Sequence, residues 1–109
     1  MKTGNIILIP FPFAEFNARK VRPCVVVAVT SDKFKDLILC AISSVVPPEL
    51  NNTEILIFPG KQNNLRTKSI IKVDRIVTLK ANDKIANLGK LSEKELEIFK
   101  TKFKMLIDS

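Results

Sequence analysis

The sequence contains no histidine, no tyrosine and no tryptophan. Without histidine the chain cannot form a Ser-His-Asp or Cys-His arrangement, a histidine acid–base pair or a histidine-ligated zinc site. Any catalysis therefore depends on carboxylates, lysine, arginine, hydroxyls or thiols. Several common hydrolytic machineries are excluded before any motif is considered.

Cysteine is also scarce, since Cys24 and Cys40 are the only cysteines in the chain. They form no CxxC pattern, lie in apolar strand-like segments, and cannot build a structural zinc site by themselves. We expect two buried thiols in a reducing compartment rather than a disulfide. We expect no metal ion and no other cofactor.

Long hydrophobic runs are absent as well. No apolar segment approaches the roughly 18 residues that a membrane-spanning helix needs. Pro10 also interrupts the N-terminal region, where a secretory signal would have an unbroken apolar stretch. These features predict a cytoplasmic protein that does not bind membranes.

Positive charge is what the sequence has in excess. Lys and Arg number 18 against 11 Asp and Glu, which gives a net charge of +7. Such a balance indicates a polyanionic partner, most often nucleic acid, although in many small basic proteins it only maintains solubility. Because 46% of the 109 residues are hydrophobic, we expect one folded domain spanning residues 1–109.

Strand patterns dominate the chain up to residue 91. Pro10 and Pro12 are expected to end the first strand and leave residues 11–21 as an exposed loop, because proline donates no ladder hydrogen bond. The longest strand is expected to bend near Asp74. The predicted strands are 5–9, 23–30, 37–45, 53–58, 69–79 and 86–91.

One helix is predicted at residues 92–107. Ser92 and Glu95 have the spacing of a capping box. Apolar residues recur at helical spacing and form one stripe: Leu96, Phe99, Phe103, Leu106 and Ile107. The predicted fold is mainly β with α, a small curved sheet or barrel of about five to seven strands (residues 4–91) with a C-terminal helix that packs on it.

The first candidate site residue is Arg22, at the mouth of the apolar strand in KVRPCVVVAV (residues 20–29). Arginine is rarely buried unless paired, and the following Pro23 holds its backbone extended. This suits a guanidinium that binds phosphate through two hydrogen bonds. The alternative is an arginine at the sheet rim paired with a local acid such as Glu15.

Two further polar features lie in other strands. Ser43 and Ser44 interrupt LCAISSVV, so one hydroxyl faces inward or onto a site, where it either donates to a phosphate or bonds the backbone at the strand end. Lys72 and Asp74 in IIKVDRIV are two apart and share a strand face, as a functional pair or as an ordinary surface ion pair. Together with Arg22 these residues supply an anion clamp, a hydroxyl and an acid–base candidate.

Several segments, taken in order, resemble the MazF/PemK-like toxins of bacterial toxin–antitoxin pairs. They extend from Gly4 to about Leu91: GNIILIPFPF, VRPCVVVAV, LILCAISS, TEI, SIIKVDRIVTL and IANLGKLS. The resemblance implies an SH3-like barrel with a C-terminal helix, usually a homodimer. It also implies a metal-independent endoribonuclease that cuts single-stranded RNA, commonly mRNA. An antitoxin would cover the RNA groove, and operator DNA bound together with the antitoxin is a further candidate partner.

The resemblance also assigns residues. The family's arginine before proline falls on Arg22, its strand-end hydroxyl, usually threonine, on Ser43, and its later polar pair on Lys72 and Asp74. Where the family commonly has Gly-Asp near the start, this chain has Asn5 after its glycine. The loop histidine used by some members and the glycines that often precede the arginine are absent.

The implied mechanism uses the RNA's own 2′-OH as nucleophile. Asp74 would be the general base or would merely orient Lys72 or Arg22. Arg22 and Ser43 would hold the non-bridging oxygens, and Lys72 would assist the leaving 5′-oxygen. Products would be a 2′,3′-cyclic phosphate and a 5′-OH.

Recognition of RNA is expected from aromatic and basic residues near the strand ends. At least two of the three early phenylalanines are alternatively expected to fill the end of the barrel. The basic loop 61–68 is interpreted as tracking the RNA backbone, contacting the antitoxin, or being a solvated turn. The alternative functions are an inactive relative that binds RNA or DNA or regulates its operon, and an SH3-like domain that binds acidic peptides. The RNA-binding candidates are Phe11, Phe13, Phe16, Arg19, Lys20, Ser44 and Arg75.

Overall fold

A computed structural model describes residues 1–12 and 19–108, with Arg19 described by its backbone alone. The described strands form one antiparallel six-stranded sheet in the order β4-β5-β3-β2-β1-β6. The prediction of a mainly β fold with a C-terminal helix is confirmed. The strands are β1 (Asn5–Pro12), β2 (Arg19–Val29), β3 (Leu37–Ser43), β4 (Glu54–Ile57), β5 (Ser69–Leu79) and β6 (Ala86–Lys90), and α1 is Glu93–Asp108.

The first strand does not end where its prolines suggested. Pro10 and Pro12 lie within β1, where they pair with Val21 and Arg19 of β2. On its other side β1 pairs with β6 only from Asn5 to Leu8. The prolines therefore occupy an edge segment of β1, where a missing N–H removes no ladder bond. The predicted loop at 11–21 is corrected to strand at both of its ends.

Both faces of the sheet carry apolar side chains, which explains the unbroken valine run of β2. One face packs against α1 and includes Val25, Cys40 and Ile71. The other face carries a second cluster, here called the second core, and includes Cys24, Leu39 and Ala41. Both cysteines are buried and free, as predicted.

The helix begins with the predicted capping box. The backbone N–H of Ser92 donates to Glu95 Oε1 over 2.8 Å, and the N–H of Glu95 donates to Ser92 Oγ over 3.1 Å. The apolar stripe packs on the sheet through Leu96, Phe99, Phe103 and Leu106. Ile107 is 73% exposed, so its assignment to the stripe is wrong. In the last turn Leu106, which is partly buried, packs on the sheet instead.

The predicted bend in β5 coincides with a large irregularity in its pairing with β3. Ala41 pairs with Lys72 but Cys40 pairs with Ile76, so residues 73–75 have no partner on β3. Such a bulge bends the strand and interrupts the alternation of side chains. Asp74 lies within it. Among the described residues, no helix has the length and apolar character needed to cross a membrane.

Candidate functional site

Three predicted site residues lie on one face of the sheet. Cys24 pairs with Ala41, and Ala41 pairs with Lys72, so these residues share a face. Arg22 is two residues from Cys24 and Ser43 is two residues from Ala41, which places both on that same face. Continuing the β2–β3 register by two residues sets Arg22 opposite Ser43. Arg22, Ser43 and Lys72 therefore lie on the same sheet face as the second core, and are here called the site face.

Arg22 belongs to β2, and its backbone is also fixed by pairing with Ile9 of β1. Its positive charge reaches the buried thiol of Cys24. The pKa of the Cys24 thiol is raised to about 12, mainly by burial and also by the neighbouring Cys40, while the charge of Arg22 acts in the opposite direction. Because burial dominates, the thiol stays neutral at physiological pH and supplies no nucleophile beside the arginine.

Ser43 is the buried serine of the pair, at 8% exposure, whereas Ser44 is exposed and lies beyond the end of β3. Ser43 Oγ accepts a hydrogen bond from the backbone N–H of Val45 over 3.1 Å. The strand-end bond expected of such a serine is therefore present. A hydroxyl that accepts one bond keeps its own hydrogen for donation, so the same group can also bind an anion.

Lys72 is half-buried and lies between Ala41 of β3 and Glu54 of β4. Sequence reasoning did not single out Glu54, because its position opposite Lys72 depends on a register that local spacing does not give. Glu54 Oε1 accepts from the N–H of Asn51 over 3.0 Å. Across the described part of the chain Lys72 makes no ion pair, so its ammonium is available to a ligand.

Asp74 does not join the site face through any direct contact. It is exposed, lies in the β5 bulge, and makes no hydrogen bond or ion pair with another described residue. The expected surface ion pair with Lys72 is therefore absent. The pKa of the Cys40 thiol is raised to about 12, mainly by burial and also by the charge of Asp74. Arg75 is exposed in the same bulge.

The proposed RNA-stacking residues have mixed outcomes. Phe11 is 8% exposed and belongs to the second core, so its assignment to an exposed loop is corrected. Its position two residues beyond Ile9 in β1 places it on the face that packs, as the alternative interpretation expected. Lys20 is exposed opposite Phe11, two residues from Arg22 on the same face. Phe13, Phe16 and the side chain of Arg19 lie outside the described residues.

Comparisons with known proteins give one family and one fold. Residues 2–107 match the family described as PemK-like, MazF-like toxin of type II toxin-antitoxin system. An endoribonuclease in complex with its cognate antitoxin, from a mycobacterial species, superposes with a TM-score of 0.75 at 12% identity, over 99% of this chain and 95% of that one. The Mycobacterium tuberculosis toxin MazF-mt6 gives 0.66 at 15% identity, over 94% and 96%. At these identities the structural likeness shows the fold alone. No curated protein sequence matches the chain.

Proposed function

The chain belongs to the family of PemK-like, MazF-like toxins of type II toxin–antitoxin systems, and from this membership and the site face we propose that it is a metal-independent endoribonuclease. It cuts single-stranded RNA, commonly mRNA, at short sequences. The observation that carries the proposal is the register that sets Arg22, Ser43 and Lys72, from three strands, on one sheet face. A guanidinium, a hydroxyl and an ammonium form a donor set suited to a phosphodiester.

In the proposed reaction the 2′-OH attacks its own phosphate. Arg22 and Ser43 donate hydrogen bonds to the non-bridging oxygens as negative charge builds on them. Lys72 stabilises the 5′-oxygen as the P–O bond breaks, and its proton passes to that oxygen. The products are a 2′,3′-cyclic phosphate and a 5′-OH.

The proton of the 2′-OH needs a carboxylate acceptor, and two carboxylates flank Lys72. Glu54 lies directly opposite, but its Oε1 already accepts from Asn51. Asp74 lies two residues along β5 and accepts no hydrogen bond from another described residue. We therefore assign the general-base role to Asp74, the carboxylate beside Lys72 in sequence that makes no hydrogen bond with another described residue.

The activity is tested with purified protein and a mixed pool of single-stranded RNA in excess EDTA. We expect fragments that end in 2′,3′-cyclic phosphate and begin with 5′-OH. Expression should arrest growth, and Arg22→Ala should abolish both effects because the phosphate loses its bidentate donor. RNA that is bound tightly but left uncut would instead establish the alternative, an inactive RNA- or DNA-binding or operon-regulating relative.

The base assignment is tested by comparing Asp74→Asn with Glu54→Gln. Loss of a general base costs about 10²- to 10⁴-fold in cleavage rate, so Asp74→Asn should fall by that amount while still binding RNA. Glu54→Gln removes the other carboxylate beside Lys72 and should cut at close to the wild-type rate. If Asp74→Asn loses only a few-fold, Asp74 is not the base.

The proposed partner is a small antitoxin protein, supported by the family and by the antitoxin complex of the mycobacterial relative. A homodimer, and binding of operator DNA together with the antitoxin, belong to the same proposal. Sedimentation of the purified chain tests the first, and gel shift of operator DNA with and without the antitoxin tests the second.

A further inference from the structure

The β4–β5 loop, residues 58–68, is the most basic connection in the described part of the chain. It contains Lys61, Arg66 and Lys68, all exposed, and no acidic residue. None of these three side chains makes an ion pair or hydrogen bond with another described residue. Exposed cations without internal partners are the kind of group that binds backbone phosphates.

The loop is nevertheless internally ordered, and Asn63 is the reason. Its side chain is buried, at 5% exposure, and makes three hydrogen bonds within the loop. Oδ1 accepts from the N–H of Gly60 over 3.0 Å and of Leu65 over 2.9 Å, while Nδ2 donates to the carbonyl of Phe58 over 2.9 Å. A buried amide satisfied in this way fixes the loop conformation.

The loop is also attached to β6, far away in sequence. The N–H of Lys90 donates to the carbonyl of Gln62 over 3.1 Å, and Asn64 Nδ2 donates to the carbonyl of Leu88. Gly89 permits this approach, because a Cβ there would lie 3.0 Å from the carbonyl carbon of Gln62. Leu65 anchors the far side of the loop in the core beneath α1.

The fixed loop leads directly to the site face. Lys68 precedes β5, whose Ile70 pairs with Ser43. Two residues of even fully extended chain span about 7 Å, so the backbone of Lys68 lies close to the strand end that carries Ser43. Arg66 lies two residues further out.

We propose that the β4–β5 loop is a preformed arm whose Arg66 and Lys68 bind RNA phosphates next to the one being cut, with Asn63 and Gly89 acting as positioning residues. The inference rests on the proposed function, since it takes RNA as the ligand. It adds a binding segment that is separate from the site face.

The test measures binding of a 2′-O-methyl single-stranded RNA over a range of salt concentrations. This probe cannot be cut by the proposed route. For single strands each phosphate contact contributes about 0.7 to the slope of log K against log salt. Arg66→Ala/Lys68→Ala should therefore reduce the slope by about 1.4 and weaken binding roughly 25-fold at 0.1 M salt, with the difference vanishing near 1 M. The control Lys100→Ala/Lys104→Ala removes two exposed charges from α1 and should keep the wild-type slope.

The positioning role is tested by Asn63→Ala alone and in the Arg66→Ala/Lys68→Ala background. Alone it should reduce the slope, and in the double variant it should change RNA binding no further, because the residues it positions are gone. A purely structural role would weaken binding equally in both backgrounds.

The outcomes separate the two proposals. If unmodified RNA is cut normally but Arg66→Ala/Lys68→Ala keeps the full slope, the arm is overturned and the nuclease stands. If the slope falls as expected but no RNA is ever cut, the arm stands and the nuclease is overturned. A wild-type protein that binds no RNA at low salt overturns both.

Discussion

Cys24 and Cys40 occupy adjacent strands but opposite faces of the sheet, so each thiol reports on a different environment. Cys24 lies on the site face, where Arg22 reaches it, and Cys40 lies in the core beneath α1, where Asp74 reaches it. Cys40 Sγ also donates to the carbonyl of Val73 over 3.4 Å. Both thiols are dominated by burial and remain protonated. The sheet face on which each thiol lies therefore decides which charged residue acts on its pKa.

These thiols predict a loss of stability at alkaline pH. Burial raises the pKa of both in the folded protein from an ordinary 9.0 to about 12. The protonated form therefore favours folding, with full effect below pH 9 and a loss of about 1.4 kcal/mol per thiol for each pH unit between pH 9 and the folded pKa of about 12. Urea unfolding at pH 8 and pH 10 measures this loss. Cys24→Ala/Cys40→Ala should show a smaller decrease between the two pH values, and an equal decrease would contradict the assignment.

At the scale of elements, local sequence patterns predicted the bounds of a helix or strand correctly wherever the segment has its own start and stop signals. The capping box of α1 and the full extent of β5, Ser69–Leu79, were predicted correctly. The end of β1 was not, because a proline breaks a strand only where its N–H would face a partner, and the extent of β6 decides that. Which elements neighbour each other is a long-range property that local patterns do not contain.

The β5 bulge shows the same limit inside the candidate site. The spacing of Lys72 and Asp74 predicted that the two side chains share a strand face, and a bend near Asp74 was expected. The pattern did not predict that three residues, 73–75, have no partner on β3. This gap in the pairing separates Asp74 from the row of cross-strand neighbours that contains Lys72. Conversely, Glu54 enters that row only through the β4–β5 register. Arg22, Lys72 and Asp74 were candidates from the sequence, whereas Glu54 became one only through the pairing of β4 with β5.

In the molecule as a whole, the sheet brings the last strand back beside the first, which is here called its closure. β6 pairs with β1, and the N–H of Leu91 donates to the carbonyl of Gly4 over 2.9 Å. The β4–β5 loop then packs on β6 at Gly89. This closure holds the loop next to the end of β5 where Ile70 pairs with Ser43. The net charge of +7 should make RNA association strongly dependent on salt.

Gly89 and Gly60 provide a matched test of this closure, because Gly89 lies in β6 directly against the β4–β5 loop and Gly60 lies in the loop itself with open space beside it. A Cβ at Gly89 would press on the backbone of Gln62 and lie 3.1 Å from Asn63 Cα, whereas one at Gly60 would meet nothing within 4 Å. Gly89→Ala should lower the free energy of unfolding by about 1–3 kcal/mol, since backbone must move to admit the methyl group. Gly60→Ala should change it by less than about 0.5 kcal/mol.

The same two variants, measured with 2′-O-methyl RNA, should also differ in binding: a reduced salt slope for Gly89→Ala and a wild-type slope for Gly60→Ala. Equal slopes with unequal stabilities would mean that closure holds the fold but does not position the arm.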